Sequence, residues 1–287
     1  MTDFAIDQIE TPTAPVWRVV PALHLGRDGE SDARGSAVAE EVPVAFRYNG
    51  FAHGVMMATP ADLNDFASGF SLTEGIIHAA SDIVDLQTHV SDDGIAIDIA
   101  LGPEAFHRYL AGRRVRSLRG HTSCGLCGAE DLHDIRRPAA LVRGGKVLTV
   151  AQVQDALGAL RAYQPLSRRT RGAHASAWVA LDGTIRAVRE DVGRHNALDK
   201  LIGAGLRGAF SGTDGFCLIT SRCSFEMVQK AVTAGYATLV SASAPTALAI
   251  RTATAAGLTL LSLDRGDGYF VYSAPDIQQE ACPMAAE

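Results

Sequence analysis

The sequence has no run of about 18 consecutive apolar residues, so we expect no membrane-spanning helix. It has no excess of basic residues either, since 26 lysines and arginines stand against 32 acidic residues and give a net charge of −6. A chain of this charge is not a general binder of nucleic acid, which would need local basic clusters. With 47% apolar and 20% charged residues, the composition also excludes a disordered or collagen-like chain.

Cysteine is scarce and odd in number: the 287 residues contain five, at positions 124, 127, 217, 223 and 282. Such a set does not suit a disulfide-stapled scaffold. The N-terminus carries early acidic residues and no apolar segment after a basic start, so we expect no signal peptide and a cytoplasmic protein. In a reducing compartment, closely spaced cysteines more often carry out redox, metal or sulfur chemistry.

The first part of the chain predicts a leader followed by a small domain. Residues 1–38 mix proline, glycine, aspartate and serine with little periodicity, and we expect a loosely ordered leader there. Residues 39–112 predict an α+β domain with a strand hairpin that turns at Asn49, a helix over 60–78 and a strand over 94–101. The helix carries apolar residues at helical spacing, so one of its faces should pack against the hairpin.

The second part predicts a mobile loop, a larger domain and a tail. Residues 113–135 contain several glycines and almost no apolar periodicity, which indicates an exposed, mobile loop. Residues 136–275 are expected to form an α/β domain, and residues 276–287 a tail. After a helix over 151–163 and a strand hairpin, helices alternate with strands, which is typical of a three-layer sheet with parallel strand pairs. The predicted strands are 175–181, 184–190, 216–220, 238–242 and 258–263, and the predicted helices are 195–207, 224–235 and 245–256.

Ligands of such sheets bind at the carboxyl ends of the strands, where this pattern places three polar segments around one crevice. The segments are 220–224, 241–246 and 263–268. A fourth polar segment, 190–200, joins a strand to a helix and contains His195. His195, Arg222 and Arg265 are therefore candidate contacts to an anionic or polar ligand. The alternative for each is ordinary structure, namely a buried structural histidine, a capped helix start and a charged hairpin turn.

The sharpest local signal is the pair Cys124 and Cys127 in the segment CGLCG. Two thiols at this spacing can bind a metal, form a disulfide or pass on a sulfane sulfur. A zinc ribbon would need a second pair at similar spacing, and a thioredoxin-like motif would follow a strand and open a helix, so neither pattern fits well and we expect no resident metal. Four arginines and His121 lie just upstream, and nearby cations lower a thiol pKa, so the pattern favours a reactive thiolate.

Taken together, these stretches resemble the FdhD family, whose members are sulfur carriers, or accessory sulfurtransferases, needed for active formate dehydrogenase. The matching stretches include HTSCGLCG, EDVGRHNALDKLIG (190–203), TSRCSFEMVQKA (220–231) and LTLLSLDRGDGYFVY (258–272). The resemblance runs from about residue 40 to residue 275 and keeps the family's order of motifs. It is therefore far more specific than a CxxC pair.

The resemblance implies a fold, a reaction and its partners. The larger C-terminal domain would have a cytidine-deaminase-like α/β fold, and the protein would be a homodimer. Sulfane sulfur from a cysteine desulfurase would be held as a persulfide on Cys124, with Cys127 as its partner in relay or release. The acceptor would be the molybdenum cofactor, Mo-bis(molybdopterin guanine dinucleotide), before its insertion into the catalytic subunit of formate dehydrogenase.

The resemblance also implies which residues bind the cofactor. The matching segment consists of Leu263, Asp264, Arg265, Gly266, Asp267 and Gly268. Leu263 and Asp264 depart from the aromatic and apolar residues common at these positions in the family, whereas Arg265 and Gly266 are retained. His195 and Arg222, at neighbouring strand ends, are further candidate cofactor contacts.

Two other classes of protein compete with this interpretation. A zinc-dependent deaminase would share the fold, but it needs a Pro-Cys-x-x-Cys element inside the α/β domain, and here the CxxC pair precedes that domain. A chaperone that binds the cofactor or the target enzyme without transferring sulfur is the stronger alternative. Retained function in the absence of the cysteines would support it.

Overall fold

The computed structural model describes residues 12–112, 141–212, 214–264 and 268–275. These residues form strands and α-helices arranged in three sheets. The strands are β1 (Trp17–Leu25), β2 (Ser31–Ala39), β3 (Val42–Tyr48), β4 (Phe51–Ala58), β5 (Ile83–Ser91), β6 (Gly94–Leu101), β7 (His174–Ala180), β8 (Ile185–Asp191), β9 (Gly215–Ile219), β10 (Thr238–Ser241), β11 (Thr259–Leu263) and β12 (Tyr269–Ser273). The α-helices are α1 (Leu63–Thr73), α2 (Pro103–Gly112), α3 (Val150–Leu160), α4 (Pro165–Thr170), α5 (Arg194–Leu206), α6 (Phe225–Thr233) and α7 (Ala247–Ala256). None of the helices in the described ranges is both long and apolar enough to cross a membrane.

The largest sheet has six strands in the order β12-β11-β10-β9-β7-β8. Strands β9, β10 and β11 are parallel, β7 is antiparallel to both of its neighbours, and β12 is antiparallel to β11. Because two reversals restore the direction, β8 runs the same way as β9. The carboxyl ends of β8, β9, β10 and β11 therefore lie at one edge of the sheet. The predicted hairpin and the predicted parallel pairs are confirmed, and β12 is a strand that the periodicity does not predict.

Helices cover both faces of this sheet. On one face, α3 buries Val153, Ala156 and Leu160 against sheet residues that include Val179 and Leu218. On the other face lie α5, α6 and α7, whose buried residues belong to a second and larger core. The mixed α/β class predicted from the sequence is confirmed by this arrangement.

The N-terminal sheet has four strands in the order β4-β3-β6-β5. Strands β3 and β4 form the predicted hairpin, which turns at Asn49 and Gly50, both with positive φ. The predicted strand β6 buries Ile95, Ile97 and Ile99 at alternate positions, as a strand with one covered face does. These side chains join the same core that lies beneath α5, α6 and α7, so one continuous core serves both sheets.

Helix α1 begins at Leu63, later than the predicted start at residue 60. The preceding residues are held by β8 and α5 instead, because the Thr59 N–H donates to Asp191 Oδ2 (3.0 Å) and the Thr59 carbonyl accepts from Lys200 Nζ (2.9 Å). Asp62, at the N-cap, is almost fully buried and adopts the left-handed conformation (φ 53°). These long-range contacts, which a local pattern does not contain, determine where the helix starts.

Helices α1 and α5 cross with their backbones in direct contact. A Cβ atom placed on Gly69 would lie 1.8 Å from the Asp199 carbonyl oxygen, and one placed on Gly203 would lie 1.8 Å from the Asp65 carbonyl oxygen. No real contact is that short, so both positions require glycine for close approach rather than for an unusual backbone angle. We call this contact the glycine crossing.

Three buried ion pairs surround the glycine crossing. Arg189 in β8 pairs with Asp65 in α1 (2.7 Å), which joins α1 directly to the six-stranded sheet. A second pair, Lys200 with Asp191 (2.6 Å), is completed by Thr59, since the lysine also donates to the Thr59 carbonyl. The third is Lys230 with Asp199 (2.8 Å), and here Thr73 of α1 bonds to both members.

The segment expected to be a loosely ordered leader contains instead a two-stranded antiparallel ribbon of β1 and β2. The expectation for 1–38 is therefore wrong for the residues of β1 and for residues 31–38 of β2, where polar and apolar residues alternate only in part. Pro21 and Gly35 obscure that alternation in the sequence. The predicted loop 113–135 and tail 276–287 lie outside the described residues, and the division into domains stays a prediction.

Candidate functional site

The carboxyl ends of β8, β9, β10 and β11 form a polar border of the six-stranded sheet, which we call the strand-end edge. Its described segments are 190–195, 220–224, 241–246, 263–264 and Gly268. The sequence predicts that three of these segments surround one crevice, and the parallel pairing does bring their described residues to the same edge. His195 and Arg222, predicted as ligand contacts, both lie along it.

Hydrogen bonds tie the middle of the strand-end edge together. Cys223 forms an isolated parallel bridge with Pro245, and the Thr246 N–H donates to the Cys223 carbonyl (3.0 Å). The buried Ser241 hydroxyl donates to the Ser221 carbonyl (3.2 Å). The turns that follow β9 and β10 therefore form one rigid unit.

The turn before α5 is organised by Asp191, which is fully buried. Its carboxylate accepts from the Gly193 N–H (2.8 Å), the Asn196 amide (3.0 Å) and the Thr59 N–H (3.0 Å), and it pairs with Lys200. A buried carboxylate needs such partners, because an unpaired charge in the interior is very costly. The result is a fixed direction for the first turn of α5, on which the next residues of the site lie.

His195, in that first turn, faces the start of α6. Its Nε2 atom lies 3.0 Å from Glu226 Oε2, and both side chains are almost fully buried. The same carboxylate oxygen accepts a hydrogen bond from the Ser224 hydroxyl (2.9 Å). A carboxylate this close to an imidazole nitrogen restrains the orientation of the ring. His195 is thus a fixed group, and Glu226 is the partner that the sequence analysis does not single out.

His174, at the start of β7, completes this end of the edge together with Arg194. Burial lowers the pKa of the His174 imidazole, and the positive charge of Arg194 lowers it further, whereas Asp191 acts in the opposite direction. His174 is therefore neutral at pH 7 and can accept or donate a hydrogen bond. The buried Nε of Arg194 has no hydrogen-bond partner among the described residues, which leaves it available to an acceptor.

Arg222 and the segment 263–268 lie further along the edge. Arg222 is exposed in the turn between β9 and α6. Leu263 ends β11 and is half-buried, and Asp264 is exposed at the start of the turn to β12, which the Asp264 N–H closes by donating to the Gly268 carbonyl (3.1 Å). Arg265, Gly266 and Asp267 lie outside the described residues. The predicted contacts that are described are thus spread along the edge rather than gathered at one point.

The described cysteines are poor nucleophiles. Cys217 and Cys223 are both fully buried and unbonded to another cysteine. Burial raises the pKa of the Cys223 thiol to about 12, and it raises that of Cys217 far above its ordinary value, so neither is a thiolate at neutral pH. The predicted pair Cys124 and Cys127 lies outside the described residues.

No cluster of three or more histidine, cysteine, aspartate or glutamate side chains that could hold a metal occurs in the described part of the chain. The expectation of no resident metal stays a prediction, since Cys124 and Cys127 lie elsewhere. The residues that sequence reasoning misses are His174, Arg194 and Glu226. Arg194 and Glu226 lie in motifs quoted above and His174 does not, and the juxtaposition of the three depends on sheet order, which a local motif does not contain.

The fold and the edge define a class: a mixed α/β protein with a polar strand-end site that carries two histidines and two arginines. The model of the FdhD/NarQ family matches residues 39–278, and the chain belongs to this family.

Two relatives extend this match to nearly the whole chain. A protein from Cupriavidus necator is 48% identical over 98% of this chain and 96% of its own length. A protein from Xanthomonas campestris pv. campestris is 43% identical over 93% of this chain and 94% of its own length. Both are named "Sulfur carrier protein FdhD".

A solved structure shows the same fold. It is a protein from Desulfotalea psychrophila, assigned as a formate dehydrogenase accessory protein, with a TM-score of 0.70 and 24% identity. The match covers 91% of this chain and 99% of the solved one. At this identity the likeness concerns the fold alone.

Proposed function

We propose that this protein is a sulfur carrier in the maturation of formate dehydrogenase. It takes sulfane sulfur from a cysteine desulfurase as a persulfide on Cys124 and passes it to Mo-bis(molybdopterin guanine dinucleotide), which is then inserted into the catalytic subunit of formate dehydrogenase. The relatives named sulfur carrier proteins support the carrier role. The motif resemblance is the basis for naming formate dehydrogenase as the target enzyme and this cofactor as the sulfur acceptor. We also propose that the protein acts in the cytoplasm and that the six-stranded sheet has a cytidine-deaminase-like arrangement.

The observation that carries the cofactor part of the proposal is the charge and length of the strand-end edge. Arg194 follows β8, Arg222 follows β9 and the segment 263–268 follows β11, so the two ends of this series are four strand spacings, or about 19 Å, apart. A long, multiply anionic ligand such as a guanine dinucleotide suits such a series of cationic and polar groups. His174 and the buried Nε of Arg194 add hydrogen-bonding groups at one end.

The chemistry of the cysteines supports the carrier residue. Since Cys217 and Cys223 are buried thiols with raised pKa, they do not meet the need for an accessible thiolate. The pair Cys124 and Cys127, preceded by arginines, has the sequence surroundings that lower a thiol pKa. We therefore assign the persulfide to Cys124 and keep Cys127 as its partner.

The transfer is a balanced exchange at sulfur. The Cys124 thiolate attacks the outer sulfur of the desulfurase persulfide; a new S–S bond forms, the donor's S–S bond breaks, and the donor cysteine leaves as a thiolate without net oxidation. For release, the Cys127 thiolate attacks the Cys124 sulfur, forms the Cys124–Cys127 disulfide and expels the outer sulfur as hydrosulfide. The two cysteines supply the two electrons, and a dithiol reductant restores both thiols. In the relay alternative, Cys127 takes the outer sulfur by a second exchange.

The test is mass spectrometry of the full-length protein after incubation with a cysteine desulfurase and L-cysteine. We expect the peptide that contains Cys124 to gain the mass of one sulfur atom and to lose it on reduction. The variant Cys124→Ala should show no gain, and the matched control Cys282→Ala should load like the wild type. In a strain that carries only the variant, Cys124→Ala should leave formate dehydrogenase inactive, whereas Cys282→Ala should support it.

Two outcomes would contradict the carrier role. One is no sulfur gain by a folded wild-type protein in the presence of an active desulfurase. The other is full formate dehydrogenase activity with Cys124→Ala. Either result would support the alternative function, a cofactor-binding chaperone that transfers no sulfur.

A further inference from the structure

The segment 59–62, which joins β4 to α1, borders two adjoining cavities. The larger has a volume of about 540 Å³ and lies between this segment, α4 and the base of the β1–β2 ribbon, where Trp17 begins β1. The smaller has a volume of about 450 Å³ and lies between the segment, the start of α1 and β5. Ala61 and Asp62 line both cavities, so the two form one continuous groove, which we call the loop groove.

The larger cavity combines an apolar wall with a cationic rim. Val16, Trp17 and Leu166 supply apolar surface, and Arg168 and Arg169, both exposed on α4, also line the cavity. The Arg169 guanidinium is stacked 3.6 Å above the centre of the Trp17 ring. A guanidinium stacked on an aromatic ring can still donate hydrogen bonds to a carboxylate. This cavity therefore suits an aromatic or aliphatic side chain that has a carboxylate beside it.

The positive charge of this rim is not used within the chain. Neither Arg168 nor Arg169 forms a salt bridge with an acidic residue in the part of the chain that the structure describes. The two acids in the lining are already engaged. Glu190 accepts from two N–H groups in the first turn of α4 (both 2.8 Å), and Asp62 lies 3.7 Å from Arg189 Nε. The charge that remains available to a ligand is therefore positive.

The smaller cavity borders the edge of the four-stranded sheet. Leu63 in α1 and Leu86 and Thr88 in β5 line it. Strand β5 is the last strand of that sheet, and β6 is its only strand partner in the described ranges. The backbone N–H and C=O groups on the other side of β5 are thus available to a further strand.

A free strand edge beside two cavities is suited to an extended peptide. In a strand added beside β5, every second side chain lies on the same face as Leu86 and Thr88, and so faces the smaller cavity. The same peptide reaches the larger cavity across Ala61 and Asp62, which the two cavities share. A small ligand, in contrast, would fill one cavity and leave the strand edge unused.

We infer that the loop groove binds an extended segment of a partner protein that carries an aromatic side chain next to acidic residues. The aromatic ring packs against Trp17, and the carboxylates pair with Arg168 and Arg169. An aliphatic side chain of the same segment fills the smaller cavity beside Leu63 and Leu86. Backbone hydrogen bonds to β5 supply affinity, and the two cavities select the sequence. This inference goes beyond the proposed function, because it requires neither sulfur transfer nor the cofactor.

The test uses a synthetic hexapeptide, Asp-Glu-Phe-Ser-Leu-Ser, blocked at its C-terminus and labelled with fluorescein at its N-terminus. The aromatic and aliphatic residues are two positions apart, because alternate side chains of a strand share one face. Since a peptide can pair with an edge strand in either direction, the probe is also made in the reverse order. Fluorescence anisotropy with the full-length protein should show saturable binding of at least one order. Competition by the unlabelled peptide excludes binding through the label.

Replacing both acidic residues of the probe by lysine should weaken binding about tenfold or more, because attraction to the arginines becomes repulsion. Absence of saturable binding of both orders up to about 1 mM peptide would overturn the inference. Equal binding of the lysine peptide would do the same. Displacement of the probe by 3-phenylpropionate as strong as that by the unlabelled peptide would mean that the groove takes a small aromatic acid instead of a peptide.

A charge reversal in the protein tests the cationic rim. The variant Arg168→Glu should weaken probe binding about fivefold or more. The matched control is Arg161→Glu, which changes an exposed arginine just before α4 that lines neither cavity. It should bind the probe like the wild type, and equal weakening by both variants would overturn the site. Both variants should keep the circular dichroism and the sulfur loading of the wild type, so loss of peptide binding is distinct from failure of the proposed function.

Tryptophan fluorescence tests the location. The chain contains two tryptophans, and Trp178 is fully buried in the core, so a peptide in the loop groove should change the emission of Trp17. The variant Trp17→Phe should still bind the labelled probe but lose this change of emission. An emission change that persists in Trp17→Phe would place the peptide elsewhere and overturn the inference.

Backbone methylation of the probe tests the pairing with β5. In a strand, the N–H groups of alternate residues point to the same side, so methylating one alternate set should weaken binding about tenfold and methylating the other set should have little effect. The two sets are the second and fourth residues and the third and fifth residues of the probe. Equal affinity of the two methylated peptides would contradict strand pairing in the loop groove.

Discussion

The glycine crossing and the β1–β2 ribbon represent two opposite ways of joining parts of one chain. At the crossing, α1 and α5 meet backbone to backbone, and the surrounding charges of Arg189, Lys200 and Lys230 are buried and paired. In the ribbon, the residues that would form a core are exposed, and the main contact with the rest of the molecule is the packing of β2 on α4 at the base.

The difference concerns what each region can tolerate. The crossing has no free space and no solvent to screen its charges, so any change there is felt by both sheets. The distal ribbon can change without disturbing the core. We interpret the crossing as the element that holds the strand-end edge in shape, and the ribbon as a peripheral segment that can change independently of it.

The largest expected effect is that of a side chain at the glycine crossing. The variant Gly203→Val would force α1 and α5 apart, because even its Cβ atom would collide with the Asp65 carbonyl, and we expect a loss of about 4 kcal/mol or more in the free energy of unfolding. Urea unfolding would measure it. The control Gly158→Val lies in α3, where a Cβ meets nothing within 4 Å, and should be neutral. Equal stability of the two variants would contradict the close crossing.

A somewhat smaller effect is expected from one buried ion pair. The variant Lys230→Met leaves Asp199 buried without its cation, which should lower the free energy of unfolding by about 3 kcal/mol. The matched control is Arg108→Met, which breaks the exposed pair with Asp82 (2.8 Å) and should cost no more than about 1 kcal/mol. Similar losses for both variants would mean that the buried pair has no special role.

The smallest effect concerns local opening of the ribbon. In the Leu23→Glu/Leu25→Glu variant, hydrogen exchange should be fast for the distal ribbon, 23–36, and slow for α1 and α5, because the ribbon opens without unfolding the core. Peptide-resolved exchange in mildly alkaline buffer would measure it. Equal protection from hydrogen exchange in the ribbon and in α1 and α5 of the variant would contradict the idea that the ribbon opens independently of the core.

The sequence predicts the local elements of this fold well where apolar residues alternate without interruption. The turn at Asn49, strand β6 and the helix–strand alternation that begins at α5 all follow from such patterns. The ribbon does not follow from such a pattern, because Pro21 and Gly35 interrupt its alternation. The start of α1 does not follow from a local pattern either, since contacts with Asp191, 132 residues away, determine it.

The site shows the same division between local and long-range information. Polar segments at strand ends identify His195 and Arg222 from the sequence, but the pairing of His195 with Glu226 requires two helices to start side by side. The buried cations are harder still to predict, because isolated Arg189, Lys200 and Lys230 would be assigned to the surface. Only the packed structure provides their partners.

The polar contacts across the glycine crossing also constrain how this protein can evolve. Asp65, Thr59 and Thr73 in the N-terminal part complete charge groups whose other members lie in the C-terminal sheet. A recombination event that exchanged one part for an unrelated segment would leave a buried charge without its partner. The two parts must therefore be inherited together, and substitutions at these positions should occur as matched changes rather than singly.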